Sequence, residues 1–391
     1  MAKKKTTKKE EPKGPTKKDR LAKLQGLAKE INKKAQAEGG RSVVQFGVPE
    51  ITTISTGLQT IDSLMGQIMR GRMTTMMGPE KTGKTTFCAR VAGNDQHKND
   101  TIWCWADFEN SGDKEWFKRQ GIKMDSLYWL HSMKTMEEYC DKIIEVAQDG
   151  SIDGIVIDSV GAMAPQGEMY KKEGRFLKQK SVADDTIGLL NRKLGQFLRI
   201  IKGMIARYDI PCLIITHVYA DISSGGYLIP KGGNAFRHFA DARLNFRIGP
   251  NANRPWNKKE DNKEVYIGFE QLITLDKSKN SASMNAGTQI GLPFLYGVGP
   301  SEDRFFVERA VKDGIITQAG AWYNWPEKDF KVNGREAFWK TIEERPELVK
   351  EIRKAYKDIN VFNIDEKPMV FINQDDGEII DTANQDGAEP E

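Results

Sequence analysis

Three short segments of this 391-residue chain hold residues whose types and spacing could do chemistry on phosphate. The first is Gly78-Pro79-Glu80-Lys81-Thr82-Gly83-Lys84-Thr85-Thr86, which satisfies G-x-x-x-x-G-K-[ST]. An apolar run, Met73–Met77, precedes it, and a helical pattern over 84–95 follows. In that setting the loop's backbone N–H groups form an anion nest at a helix N-terminus, where the dipole also favours phosphate. Lys84 supplies a positive charge to the β- and γ-phosphates, and the Thr85 hydroxyl can ligate Mg²⁺. A chance match would lack the flanking strand and helix.

A Mg²⁺–nucleotide site also needs a carboxylate at the tip of a neighbouring strand. Gly154-Ile155-Val156-Ile157-Asp158-Ser159 offers one, with Asp158 at the end of a buried run, the ligand edge of a doubly wound sheet. The plainer reading of Asp158 is a surface turn. The third segment, Trp105-Ala106-Asp107-Phe108-Glu109-Asn110, ends the strand after the P-loop helix. Asp107 and Glu109 are two apart, so an extended chain points them the same way. A carboxylate there is placed to orient and deprotonate a water attacking the γ-phosphate, and Glu109 is the first choice as that base. Otherwise both are simple loop acids. Together the segments describe an ATP-hydrolysing site.

Two further stretches suit nucleic acid. Residues 166–180 read as a basic loop, with Lys171, Lys172, Arg175, Lys178 and Lys180 interleaved with Tyr170 and Phe176. After Ile215-Thr216-His217 comes a long loop rich in small residues, with Tyr227, Lys231, Gly232, Gly233 and Asn234. Glycine N–H groups, a lysine and a tyrosine suit phosphate and base contacts with single-stranded DNA. Loops of this length are functional or disordered.

The elements that must position these segments follow from hydrophobic periodicity. Met73–Met77, Thr101–Ala106, Gly154–Ile157, Cys212–Thr216 and Leu244–Arg247 read as strands, and 84–95, 113–120, 135–148 and 183–208 as helices. That alternation predicts an α/β fold with a mostly parallel sheet flanked by helices. The organisation expected is a disordered basic arm over 1–18, an N-terminal helix and oligomerisation segment over 19–45, and a P-loop core over 46–300. A small α/β C-terminal domain over 301–362, with helices at 334–344 and 346–356, and an acidic, largely disordered tail over 363–391 complete it. In the N-terminal helix Leu21, Leu24, Leu27, Ala28 and Ile31 recur at helical spacing, either to pack on a neighbouring subunit or on its own core.

Composition narrows the class. At 39% hydrophobic and 29% charged residues the chain suits a soluble protein with charged ends. No apolar run approaches a membrane span, and the Lys-rich start has no apolar stretch behind it, so no secretory signal is expected. Cys88, Cys104, Cys140 and Cys212 lack C-x-x-C spacing and read as buried thiols of a reducing compartment, hence a cytoplasmic location. The net charge of +4 is small, but its distribution is uneven. Residues 1–20 hold nine Lys/Arg against three acids, and 375–391 hold seven acids and no base. Such asymmetry fits a protein that binds a polyanion and regulates that binding; alternatively both ends are solvated tails.

In order, these segments resemble the RecA family of DNA strand-exchange recombinases. Ile54-Ser55-Thr56-Gly57 matches the motif leading into its P-loop, and Gly78-Pro79-Glu80 through Thr86 matches the P-loop itself. Asp107-Phe108-Glu109 matches the D-x-E bearing its catalytic glutamate, and Val156-Ile157-Asp158-Ser159-Val160 its second acidic motif. Lys231-Gly232-Gly233-Asn234-Ala235 closes its second DNA loop; Leu295-Tyr296-Gly297-Val298-Gly299 and Ala319-Gly320-Ala321-Trp322-Tyr323 match later signatures. The likeness spans roughly residues 19–358.

The resemblance adds roles that spacing does not give. Asp113 and Trp116 fall where the family contacts adenine, with Trp in place of the usual Tyr. Lys277 and Lys279 fall where paired lysines reach the neighbour's ATP and stabilise γ-phosphate charge. His217 falls where bacterial members carry a Gln that senses the γ-phosphate; some phage-encoded relatives have His there, and a core-lining His is the other reading. The resemblance implies Mg²⁺–ATP, single- and double-stranded DNA, self-association into a helical filament, and single-strand-binding and loader proteins as partners. A hexameric helicase-like motor on the same core and a nucleotide-gated scaffold with negligible turnover are the competing readings.

Overall fold

The computed structural model describes residues 16–173, 176–179, 188–221, 227–230, 238–250, 256–260, 263–357, 371–372 and 379–380. Most of the expected basic arm and nearly all of the expected acidic tail lie outside these residues. Numbered in chain order, the elements that build the core are α1 (Lys17–Ala37), β1 (Met73–Gly78), α2 (Lys84–Asn99) and β2 (Trp103–Asp107). Next come α3 (Lys114–Arg119), β3 (Leu127–Leu130), α4 (Met136–Asp149) and β4 (Gly154–Asp158). α5 (Leu189–Tyr208), β5 (Cys212–Asp221), β6 (Ala242–Ile248), β7 (Lys263–Ser278) and β8 (Gln289–Leu295) follow.

The main sheet runs β8-β7-β6-β1-β5-β4-β2-β3. From β6 to β3 every pairing is parallel, whereas β7 and β8 are added antiparallel. The fold is therefore the α/β, mostly parallel P-loop core that the strand–helix alternation predicts. Parallel strands are buried on both faces, and β1, β2 and β4 are buried along their whole length. Alternate residues serve opposite layers. Cys104, Ala106, Ile155, Ile157, Cys212 and Ile214 join one cluster with Tyr139 and Ile143 of α4 and Phe197 and Ile201 of α5. On the other face Trp103 donates its indole N–H to Asp95 of α2 at 3.1 Å, and Trp105 packs edge-on against Phe117 of α3 at 4.7 Å. All four cysteines are buried free thiols.

Several elements differ from the sequence reading. Helix α1 starts at Lys17 because Thr16 caps it: its hydroxyl accepts from Asp19 N at 3.3 Å, and the Asp19 carboxylate accepts from Thr16 N at 3.0 Å. The basic stretch over 166–180 is not a plain loop. Tyr170–Glu173 and Phe176–Gln179 pair as a hairpin, with Lys171 directly opposite Lys178. In the long loop after His217, Tyr227–Pro230 folds back on Val218–Asp221 and extends β5 into an arm. These pieces escaped periodicity because neither alternates cleanly between apolar and polar residues.

The chain divides into compact units at 1–305 and 306–391. In the second, Thr317–Ala319, Trp322–Trp325 and Phe330–Asn333 form an antiparallel sheet, and helices Arg335–Glu344 and Pro346–Lys357 accompany it. Tyr323 stacks on Phe338 at 4.2 Å, and the Tyr356 hydroxyl donates to Asp313 at 2.8 Å. Among the described residues no helix is long and apolar enough to cross a membrane.

Candidate active site

The P-loop leaves β1 through a residue that must be glycine. A Cβ on Gly78, whose φ is 154°, would meet the Phe246 carbonyl oxygen at 2.2 Å. Gly83 then caps α2 in the left-handed region (φ 84°), and a Cβ there would lie 2.4 Å from the Gln271 amide nitrogen. The loop is thus shaped by close packing from β6, β7 and β8. Gln271, itself wholly buried on β7, donates to Thr82 O at 2.6 Å and fixes the loop's peptide plane. No sequence signal marks Gln271, because its partner is 189 residues away.

Lys84 Nζ donates to Gly78 O at 2.9 Å and Pro79 O at 2.5 Å, so the loop holds its own cation near the nest. Burial pulls the Lys84 amine down to about 8, while Asp158, Glu109 and Glu80 oppose that fall. Thr85 Oγ1 donates to Asp158 Oδ2 at 2.9 Å. Burial pushes the Asp158 carboxyl up to about 7 against the Thr85 hydrogen bond, and the nearby Glu109 and Asp107 add to the rise. A buried carboxylate beside a hydroxyl, in a site with acids in excess, is a hard-oxygen donor set suited to Mg²⁺, which needs few protein ligands beside phosphate and water. The residues fit that ion.

Glu109 occupies the cavity of about 480 Å³ that Lys84, Thr85, Asp158 and His217 also line. It accepts from the Ser159 hydroxyl and sits 2.9 Å from His217 Nε2. Burial raises its carboxyl, but the hydrogen bonds from Ser159 and His217 and the charge of Lys84 outweigh that and hold it below the usual range. The expected common direction of Asp107 and Glu109 does not carry through to shared partners. Strand β2 ends at Asp107, whose carboxylate accepts from Gly112 N at 3.1 Å, while Glu109 turns into the cavity. Sequence reasoning gives Ser159 no role; its position directly after Asp158 is the signal that could have found it. Among the described residues, the buried His217 Nδ1 has no hydrogen-bond partner, so one edge of the ring is unsatisfied.

Asp113 caps α3, accepting from Glu115 N at 2.9 Å and Trp116 N at 3.1 Å, and the Trp116 indole donates to Thr86 at 3.2 Å. Both expected adenine contacts therefore lie beside the loop.

Lys277 and Lys279 are not brought to this site. Register places Lys277 opposite Arg243, which pairs with Thr75 on β1. Lys279 Nζ lies 2.9 Å from Asp241 Oδ1, and Asp241 Oδ2 accepts from Met73 N at 3.2 Å. Met73 starts β1 and Gly78 ends it, about 16 Å away along an extended strand. Lys279 lies at the end of β1 away from the P-loop, and Lys277 lies level with Thr75, midway along that strand.

Of the expected DNA contacts, Lys171 and Lys178 are exposed on the hairpin, while Lys172 and Tyr227 lie in strands whose side chains are not described at those positions. Arg175, Lys180, Lys231, Gly232, Gly233 and Asn234 lie outside the described residues.

Residues 23–299 match the RecA N-terminal domain, and 306–358 match the RecA C-terminal domain. The chain belongs to the RecA family. It is 29% identical to Protein RecA of Campylobacter jejuni subsp. doylei over 326 residues, covering 81% of this chain and 88% of that relative. Protein RecA of a Nitratiruptor species is 29% identical over 339 residues, covering 84% and 90%. The RecA family comprises ATP- and DNA-binding proteins of recombination and repair, and the P-loop core described here is of that kind.

Proposed function

We propose that this chain is a DNA-dependent ATPase that assembles head to tail on single-stranded DNA, with ATP shared between neighbours, and exchanges that strand with a homologous duplex. The observation that carries the reading is that Lys277 and Lys279 line no part of the nucleotide cavity, with Lys279 held at the other end of β1 beside Asp241. In this reading they serve the nucleotide of a neighbouring copy instead of their own. The uncovered stripe of α1 supports the same assembly: Leu21, Leu24, Leu27 and Ile31 are 38–53% exposed.

In this reading the loop N–H groups and Lys84 bind the phosphates, and Trp116 stacks on adenine beside the Asp113 cap. Thr85 and Asp158 hold Mg²⁺, which when bound neutralises phosphate charge. Glu109, ionised because Ser159 and His217 donate to its carboxylate, orients the attacking water and takes its proton. Lys277 and Lys279 of the neighbouring copy supply positive charge to the γ-phosphate, as an arginine finger does. His217 stands on β5 directly before the arm that carries Tyr227, so its choice between Glu109 and the γ-phosphate couples nucleotide state to the DNA loop. Lys171 and Lys178, directly opposite on the hairpin, offer positive charge to a DNA phosphate.

A strand-exchange assay with ATP tests the reading directly. Product is expected with a homologous duplex and none with a heterologous one. Closed rings instead of open filaments on single-stranded DNA, seen by electron microscopy with a non-hydrolysable ATP analogue, would overturn it.

A further inference from the structure

The edge that holds Lys279 contains a buried acid with more cations than one carboxylate needs. Asp241, wholly buried at the start of β6, is within 3.0 Å of Lys202 Nζ and 2.9 Å of Lys279 Nζ, and Arg72 stands at 3.8 Å. The two lysines are held differently. Lys202, on α5 and with its side chain 30% exposed, also donates to Phe239 O at 2.8 Å. Lys279, with its side chain 48% exposed, is held by Asp241 alone among the described residues. Arg72 is too distant to hydrogen-bond and adds only Coulomb attraction.

We propose that Asp241 is a positioning residue for catalysis in the neighbouring subunit: it holds Lys279 in the lone chain and releases it to the neighbour's γ-phosphate, while Lys202 stays behind as the permanent counter-ion. This rests on the shared-site reading given above. A buried carboxylate stripped of all partners is strongly unfavourable, so a single lysine could not leave Asp241 without undermining the fold. With Lys202 in place, exchanging Asp241 for phosphate costs Lys279 little, and the lysine is already ordered before the neighbour arrives. Electrostatics agree. Burial raises the Asp241 carboxyl, but the hydrogen bonds from Lys279, Lys202 and Met73 N more than reverse that. Lys277 is pulled down, first by burial and then by repulsion from Lys279 and Arg243, as expected where positive charge exceeds what the local acids neutralise.

The test is a set of ATPase measurements on single-stranded DNA with full-length variants, alone and mixed. Lys279→Met is expected to lose on the order of 100-fold in kcat. Lys202→Met, which leaves Asp241 dependent on Lys279, is expected to lose roughly tenfold. Lys202→Met/Asp241→Asn removes the acid that would be stranded and is expected to recover most of that loss, staying about threefold below wild type because Lys279 is no longer pre-ordered. Mixing Glu109→Gln subunits, which have intact lysines, with Lys202→Met subunits, which have intact P-loops, should give activity above the sum of the two alone. A fold defect would not be repaired by mixing. If Lys279→Met also fails to complement Glu109→Gln, the shared-site reading itself is wrong. If Lys279→Met complements but Lys202→Met behaves as wild type, or Asp241→Asn does not restore it, the exchange is wrong and the shared site stands.

Discussion

Asp158 and Asp241 are two buried aspartates at opposite edges of the same sheet, and their carboxyls shift in opposite directions. Asp158, at the phosphate edge, is pushed up to about 7 by burial and by Glu109 and Asp107, against the Thr85 hydroxyl, its one hydrogen-bond donor among the described residues, and the weaker pull of Lys84. Asp241, at the other edge, is held below the usual range because two lysine amines and a backbone N–H overcome the same burial. Desolvation acts on both; the local count of cations decides the outcome. One edge is short of positive charge and the other has it to spare. In the assembly proposed above, the cation-rich edge of one copy serves the acid-rich edge of the next.

The comparison can be broken in four places. The largest effect is expected from Lys277→Met/Lys279→Met, which should lower DNA-stimulated kcat by about 10³-fold while leaving ATP binding intact. Steady-state ATPase and nucleotide titration check it; loss of binding instead would place these lysines in their own site. Next, Glu109→Gln should reduce kcat by roughly 10²–10³-fold at nearly constant KM, since it removes only the base. A large KM change would make Glu109 a binding residue. Trp116→Ala removes base stacking and should raise KM for ATP about tenfold with little change in kcat. An unchanged KM would move the adenine elsewhere.

The smallest effect is on stability. Because Asp241 has a depressed folded-state pKa, its contribution is present above the unfolded value of about 3.9 and is lost as pH falls through the folded one. Wild type should therefore exceed Asp241→Asn in urea unfolding at pH 7, with the gap narrowing only below about pH 4. A gap that stays constant into acid would mean that the Asp241 charge contributes nothing.

Local order carried much of this architecture in readable form. The P-loop, the acid-tipped strand at Asp158 and the Asp107-Phe108-Glu109 segment are each short, contiguous and flanked by strongly patterned elements, so type and spacing suffice to bring them to one cavity. What stayed hidden depends on distant pairing. Gln271 meets Thr82 across 189 residues, and Asp241 meets Lys202 and Lys279 from three different elements. β3 is four residues long with mixed burial, and the hairpin of 170–179 alternates poorly, so periodicity gave them no signal. Spacing gives Lys277 and Lys279 no role, and only the pairing of β7 with β6, and of β6 with β1, places Lys277 level with Thr75.

The bare leucine stripe of α1 has a last implication. A contact in which one face of a copy meets a different face of the next does not close on itself unless its rotation happens to. Any open polymer built on that stripe therefore has two unlike ends. At one, a terminal subunit keeps Leu21, Leu24, Leu27 and Ile31 in water; at the other, the surface that should receive them stands empty. Growth at the two ends then carries different hydration costs, and the assembly acquires a direction from four apolar side chains alone.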